Sequence, residues 1–310
     1  MNPSPVIDIA VTTVGAATPI LFAGLGELVA EKSGVLNLGV EGMMLVGAIT
    51  AFAAMDMTGN PWLAVAAAAL AGAAVSMIFA VLTLSLSANQ VATGLALTIF
   101  GAGLSSLVGQ GFTGRAIHTF DTIFPPALAH DPLGRVVFGY SPLVYLSFIM
   151  VALVAWFLYR SRGGLILRAV GENDLSAHSI GYSVTGVRYA AVAFGGAMAG
   201  IGGATFPLVL TPLWADGLTG GRGWIAVALV VFAGWRPGWL LAGAYFFGLL
   251  TTFELYAKAS GASWTSILPS EAWAALPYLA TVVVLAVISA SKRAGGNAPA
   301  CLGKPFVPAG

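Results

Sequence analysis

Long apolar runs alternate with short polar breaks along this chain, and the breaks fall where helices would end. The runs lie at 9–30, 35–55, 62–86, 91–110, 139–159, 187–210, 223–235, 239–256 and 273–290. All but 223–235 come near the roughly 20 apolar residues that a helix needs to cross a bilayer. The stretch from Met57 to Gly114 carries no charge and divides only at Ser87-Ala88-Asn89-Gln90, which reads as a turn followed by a helix cap. The run 223–235 is short for a crossing and stops at Arg236-Pro237-Gly238. It is expected to be re-entrant or tilted, with any non-helical backbone buried in protein or facing a cavity. The pattern therefore predicts an all-α integral membrane protein, polytopic, with about 8–10 transmembrane helices in a single domain over 1–310.

Composition agrees. Only 8% of the 310 residues are charged and 58% are hydrophobic, against about 25% charged in soluble domains. The 40 glycines suit membrane helices that approach closely. A net charge of +1 implies no nucleic-acid partner. The single Cys301 sits in a short C-terminal tail, 291–310, and excludes a disulfide framework or cysteine metal site. No catalytic, metal or cofactor constellation stands out. There is no Walker-type glycine loop and no HExxH, and His118, His130 and His178 all fall in loops.

One polar island interrupts the pattern. Residues 160–188 carry Arg160, Arg162, Arg168, Glu172, Asp174, His178 and Arg188 between two uncharged runs. Putting the island in the cytoplasm places Lys32, Arg236, Lys292, Arg293 and Lys304 there too, and leaves Arg115, Arg135, Arg222 and Lys258 outside, in the sense of the positive-inside bias. The segment 110–139 becomes the longest external loop. Within the island, a short helix over 165–170 should end at Gly171. Asn173 or Asp174 should then cap a second helix over 175–180, with Gly181 as its stop, and Ser183 or Thr185 should cap the next span. Leu165, Leu167, Ala169, Leu175, Ala177 and Ile180 give this knob an apolar face. It reads either as a docking element or as a positive-inside loop folded on its own helices.

Several polar residues fall inside spans. Asn37 and Glu41 are four apart and would share a helix face. A carboxylate in a span costs a few kcal/mol unless paired or hydrated, so Glu41 either lines a pathway or pairs with Lys32 or a neighbouring helix's polar group. Glu27 and Glu31 read as interfacial. Asn89 and Thr93 share a face at the start of the fourth span, as a polar route or as cap and interhelical bonds. Trp224, beside Arg222, is a stacking platform or a belt residue. Trp62, Trp235, Trp239 and Trp273 read as belt residues.

The run Gly164-Leu165-Ile166-Leu167-Arg168-Ala169-Val170-Gly171-Glu172-Asn173, then Ala177 and Gly181, then Gly195, Ala199-Gly200 and Gly202-Gly203, resembles the coupling loop of ABC importer permeases. The matching branch serves branched-chain amino acids, simple sugars and nucleosides. The stretch from Glu31 to Met44 and the run Gly221-Arg222-Gly223-Trp224-Ile225-Ala226 resemble two further signatures, the latter of nucleoside-type members. Asp174 stands where that family commonly has proline, and Gln90 where it often has glutamate. The resemblance implies a permease subunit of a bacterial inner-membrane importer, not itself an enzyme and without cofactors. Gly164, Leu165, Arg168, Gly171, Glu172, Asn173, Leu175, Ala177 and Gly181 would contact a cytoplasmic ATP-binding subunit. It also implies a second permease subunit (a heterodimer or homodimer), an extracytoplasmic solute-binding protein and the lipid bilayer as partners. The expected substrate is a nucleoside first, a simple sugar second and a branched-chain amino acid third. Asn37, Glu41, Asn89, Thr93 and Trp224 are the candidate pathway residues. The alternative is a secondary active transporter, which would need ionisable groups at the membrane midplane.

Overall fold

The computed structural model describes residues 5–125, 128, 132–260 and 298–307, with isolated positions between 269 and 286. Eleven helices follow one another among them. They are α1 (Pro5–Lys32), α2 (Val40–Thr58), α3 (Pro61–Ala80), α4 (Gln90–Gly109), α5 (Pro132–Phe138), α6 (Pro142–Arg160), α7 (Arg162–Glu172), α8 (Asp174–Ser179), α9 (Val184–Thr205), α10 (Arg222–Phe232) and α11 (Pro237–Ser260). Wider turns, Val81–Ser85 and Phe206–Leu210, extend α3 and α9. Seven of these segments are long and apolar enough to span a membrane. The expected span 273–290 lies largely outside the described residues, as do Lys292 and Arg293.

Local chemistry sets the helix ends. Asn60 caps α3 by accepting from the Trp62 and Leu63 amides, with Pro61 in the first turn. Asn89 caps α4 through the Ala92 amide. Gly59 ends α2 in the left-handed conformation, at φ 64°. On the side away from the island, Arg135 pairs with Asp8 and Arg115 with Asp56, both at 2.9 Å. Two cations of the segment between α4 and α6 thus pair with acids near the ends of α1 and α2.

The core is organised around α9, which packs on α1, α2 and α3. What permits this is one helix whose side chains have nearly vanished along the contact. Gly195 lies against Gly26 of α1, Gly196 and Gly200 against Gly72 of α3, and Gly203 against the Met44 carbonyl of α2. A Cβ placed on Gly47 would come within 2.5 Å of the Gly200 Cα. Apolar side chains gain little from burial inside a membrane, so backbone proximity and van der Waals packing must supply the cohesion instead.

The structure corrects two boundaries. Residues 33–39 are not helical, and α2 starts only at Val40, five residues later than the apolar run suggests. Gly34 turns the chain at φ 92°, and the Asn37 side chain accepts from the Gly39 amide at 2.9 Å, a local turn that competes with helix. Asn37 and Glu41 therefore do not share a helix face. Arg222, expected in an external loop, opens α10 inside the fold and stacks on Phe206 at 5.1 Å.

Gly203→Leu is expected to prevent accumulation of monodisperse folded protein, because its Cβ would overlap the Met44 carbonyl. Gly103→Leu, where a Cβ meets nothing within 4 Å, is expected to behave as wild type. Size-exclusion profiles of fluorescently tagged variants check both.

Candidate functional site

The short run at 223–235 proves to be half of a broken crossing. The 11 residues of α10 cover about 16 Å at 1.5 Å per residue, against a hydrocarbon core about 30 Å thick. The other part is irregular backbone, 211–221, running beside α2. Trp214 sits in a cluster with Ala48, Ile49 and Phe52, and Leu218 packs against the same cluster. Thr219 lies lower, at Glu41. Asp216 and Gly217, between Trp214 and Leu218, are exposed. Irregular backbone is stable within a membrane only when it is buried in protein or lines a water-filled cavity.

Glu41 holds this arrangement together. It is 6% exposed and accepts three hydrogen bonds. The Thr219 hydroxyl donates to Oε1 at 2.6 Å, the Gly221 amide to Oε1 at 2.8 Å and the Gly223 amide to Oε2 at 2.6 Å. Those amides are the unpaired N-terminal donors of α10, and a carboxylate suits the positive end of the helix dipole. Glu41 is thus paired with a neighbouring helix and not with Lys32. Gly223 is required here, since its Cβ would lie 2.6 Å from the Glu41 backbone.

A second polar layer lies nearer the island. Glu27 and Glu31, expected at the interface, are 1% and 0% exposed. Glu27 accepts from the Asn37 amide at 3.0 Å, and Glu31 from the Trp235 indole at 2.5 Å. Trp235 is therefore a buried hydrogen-bond donor and not a belt residue. Trp273 is also buried, at 8%, whereas Trp62 and Trp239 are exposed. Gln90 accepts from the Leu36 amide at 2.8 Å, and the Thr98 hydroxyl donates to the Leu38 carbonyl at 3.0 Å, docking α4 on the 33–39 turn.

Among the expected pathway residues, Glu41 and Trp224 meet at the head of α10, where Trp224 is half-buried. Asn37 is 2% exposed and is occupied in its own turn. The Asn89 side chain caps α4 through the Ala92 amide, and Thr93, half-buried, lies one turn on. Sequence reasoning did not single out Thr219 or Asp216. The lone charge of Asp216 in an apolar stretch, followed by Gly217, was the available signal.

The island folds as two helices. Ser161 caps α7 through the Gly164 amide, Asn173 caps α8 through the Ser176 amide, and Ser183 caps α9 through the Gly186 amide. Gly171 lies inside α7 rather than ending it, and its missing side chain lets α7 press on the Lys32 carbonyl. Gly181 stops the second helix at φ 93°. The apolar residues divide in two. Leu167, Val170 and Ala177 are buried, while Leu165, Leu175 and Ile180 are 60%, 54% and 71% exposed, with Tyr182 beside them at 40%. Arg168 leans on the Tyr159 ring at 5.6 Å. The result is a rigid knob with an uncovered apolar face.

Comparison with known proteins bears on both regions. Residues 9–289 match the family described as "Branched-chain amino acid transport system / permease component". The chain is 47% identical over 252 residues to TsgC13 of Haloferax volcanii, a candidate glucose ABC transporter permease protein, covering 80% of this chain and 77% of the relative. It is 31% identical to the nucleoside ABC transporter permease protein NupC of Lactococcus lactis, covering 87% and 89% of the two. It is also 31% identical to the guanosine ABC transporter permease protein NupQ of Bacillus subtilis, with 95% of each chain covered.

Glu41→Gln is expected to lower thermal stability, because one amide oxygen replaces two carboxylate oxygens and an NH₂ group is brought against a donor. Hydrogen bonds to a charged group contribute about 1.5–3 kcal/mol each, so a melting-point loss of several degrees is expected. Melting curves of the purified variants in one detergent check this.

Proposed function

The chain belongs to the family of branched-chain amino acid transport system permease components, and on that premise we propose that it moves an uncharged, hydroxyl-rich solute of sugar or nucleoside size. It is a multi-pass membrane permease of the ABC type. The structural observation that supports a polar solute most is the broken crossing at 211–232. Its exposed backbone and the Asp216 carboxylate need water, which a translocation pathway provides. The N-terminus of α10, which would otherwise attract an anion, is already filled by Glu41. Arg222 is engaged by the Thr219 carbonyl and the Phe206 ring. Asp216 is then the exposed charge of the irregular segment 211–221. It can accept from hydroxyl donors, and the preference for sugars and nucleosides over amino acids rests on the relatives named for glucose, nucleosides and guanosine.

Within that class a simple sugar comes first, reversing the order drawn from the motifs, because the 47% identity is to a protein named for glucose. A nucleoside is the second reading, favoured by the guanosine permease matched along 95% of the chain. The importer would comprise this subunit, a second permease subunit, ATP-binding subunits docked on the face of Leu165, Leu175, Ile180 and Tyr182, and a solute-binding protein on the far side. ATP hydrolysis belongs to the docked subunits, and the assembly sits in the cell membrane.

Uptake of labelled glucose by the assembled importer, competed with unlabelled monosaccharides, nucleosides and leucine, tests the substrate class. Competition by monosaccharides or nucleosides but not leucine is expected, and competition by leucine alone would overturn the proposal. Asp216→Asn should reduce uptake about tenfold or more at unchanged abundance, in keeping with loss of one hydrogen bond to a charged group at about 1.5–3 kcal/mol. Separately, Glu172→Lys combined with Leu175→Asp should abolish co-purification of the ATP-binding subunit. Normal co-purification would remove the docking assignment.

A further inference from the structure

The C-terminal segment 298–307 is folded back under the island. The Cys301 amide donates to the Gly171 carbonyl at 2.9 Å, at the end of α7. Two residues on, the Gly303 amide donates to the Gly34 carbonyl at 3.1 Å, in the turn after α1. Phe306 meets the His178 ring edge-on at 5.4 Å and packs on Val170, Ala177 and Val184. Ala298 and Leu302 pack against the main core. This is a strap that joins three elements distant in sequence.

Arg188 fastens it. The residue is 0% exposed although it opens a membrane span, and its guanidinium reaches three separate places. Nε donates to the Ser33 carbonyl at 3.2 Å, Nη1 to the Lys304 carbonyl at 3.3 Å and Nη2 to Asp174 Oδ2 at 3.0 Å. The fork geometry of arginine, with donors fixed in one plane, allows one side chain to hold acceptors on three segments. Asp174 belongs to α8, Ser33 to the turn below α1, and Lys304 to the strap.

We propose that the strap and Arg188 position the α7–α8 knob, so that displacement of the knob is delivered to the 33–39 turn instead of being absorbed by the loop. The route is continuous. The knob connects through Asp174 and Gly171 to Arg188 and the strap, then to Ser33 and Gly34, then through Asn37 to Glu27, and three and four residues beyond Asn37 to the start of α2 and Glu41. A rigid element of this kind transmits motion only if its contacts persist. The strap is therefore a permanent part of the coupling unit, and Arg188 and Asp174 are positioning residues. This rests on the reading of 160–188 as the element that docks the ATP-binding subunit. That reading fails independently if the Glu172→Lys, Leu175→Asp variant retains the subunit.

The test uses the complete importer with its ATP-binding subunits and solute-binding protein. Truncation after residue 297, Arg188→Lys and Phe306→Ala are compared with wild type at matched amounts of folded protein. All three should still co-purify with the ATP-binding subunit and hydrolyse ATP. Solute moved per ATP should fall about fivefold or more for the truncation and Arg188→Lys, and about twofold for Phe306→Ala, within the range of coupling effects seen away from binding sites. Unchanged solute per ATP in the two point variants overturns the proposal, even where the truncated chain fails to accumulate. Loss of subunit association also overturns it, since the strap would then be a docking surface.

Discussion

A helix is the one crossing of a bilayer that satisfies its own backbone, and this chain gives it up at 211–221. Everything else in the site follows from repairing that break. Amides at the head of α10 have no helical partner, and Glu41 supplies two oxygens to them and to Thr219. A buried carboxylate would be costly alone, at several kcal/mol. Three donors and a helix dipole offset that cost, and the same bonds satisfy amides that would otherwise cost about 1–3 kcal/mol each. Gly223 and the glycine seam of α9 then bring the pieces to the distances these bonds require.

From that repair the structure extends in two directions. Away from the island, the irregular segment passes Trp214, Ala48 and Phe52 and is tied to the loop after α4 by the Ile117 and Phe120 amides, which donate to the Pro212 and Leu208 carbonyls. Toward the island, Glu27, Asn37, Glu31 and Trp235 form a buried polar layer, below which Arg188 and the strap hold the knob. The exposed polar backbone and the exposed apolar knob thus lie at opposite ends of one chain of contacts. That is the arrangement a permease driven from outside the membrane needs.

Much of this could be read from the residues because it is local. Helix ends at Asn60, Asn89, Asn173 and Ser183 follow from side chains that cap their own helices, and Gly181 stops a helix by its own conformation. The run at 223–235 was legible as too short for a crossing, which suggested a re-entrant or tilted helix, whereas the fold completes it with the irregular backbone of 211–221. Contacts between distant residues were harder to read. Glu27 and Glu31 look interfacial because they lie one turn apart near a span's end. Only the fold shows that Asn37 and Trp235, 10 and 204 residues away respectively, meet them. Trp235 carries the same span-end signature as Trp239, yet one is buried and the other exposed. The strap resembles any Pro- and Gly-containing tail until its amides are seen on Gly171 and Gly34.

The central claim is that Glu41 fixes the head of α10 inside the membrane fold. Hydrogen exchange of the permease in lipid nanodiscs tests it most directly, by following peptides that cover Gly221 and Gly223 in wild type and in Glu41→Ala. Slow exchange of these amides in wild type, lost in Glu41→Ala while α9 stays protected, is the expected result. Fast exchange in wild type, at the rate of the loop around Gly114, would contradict it.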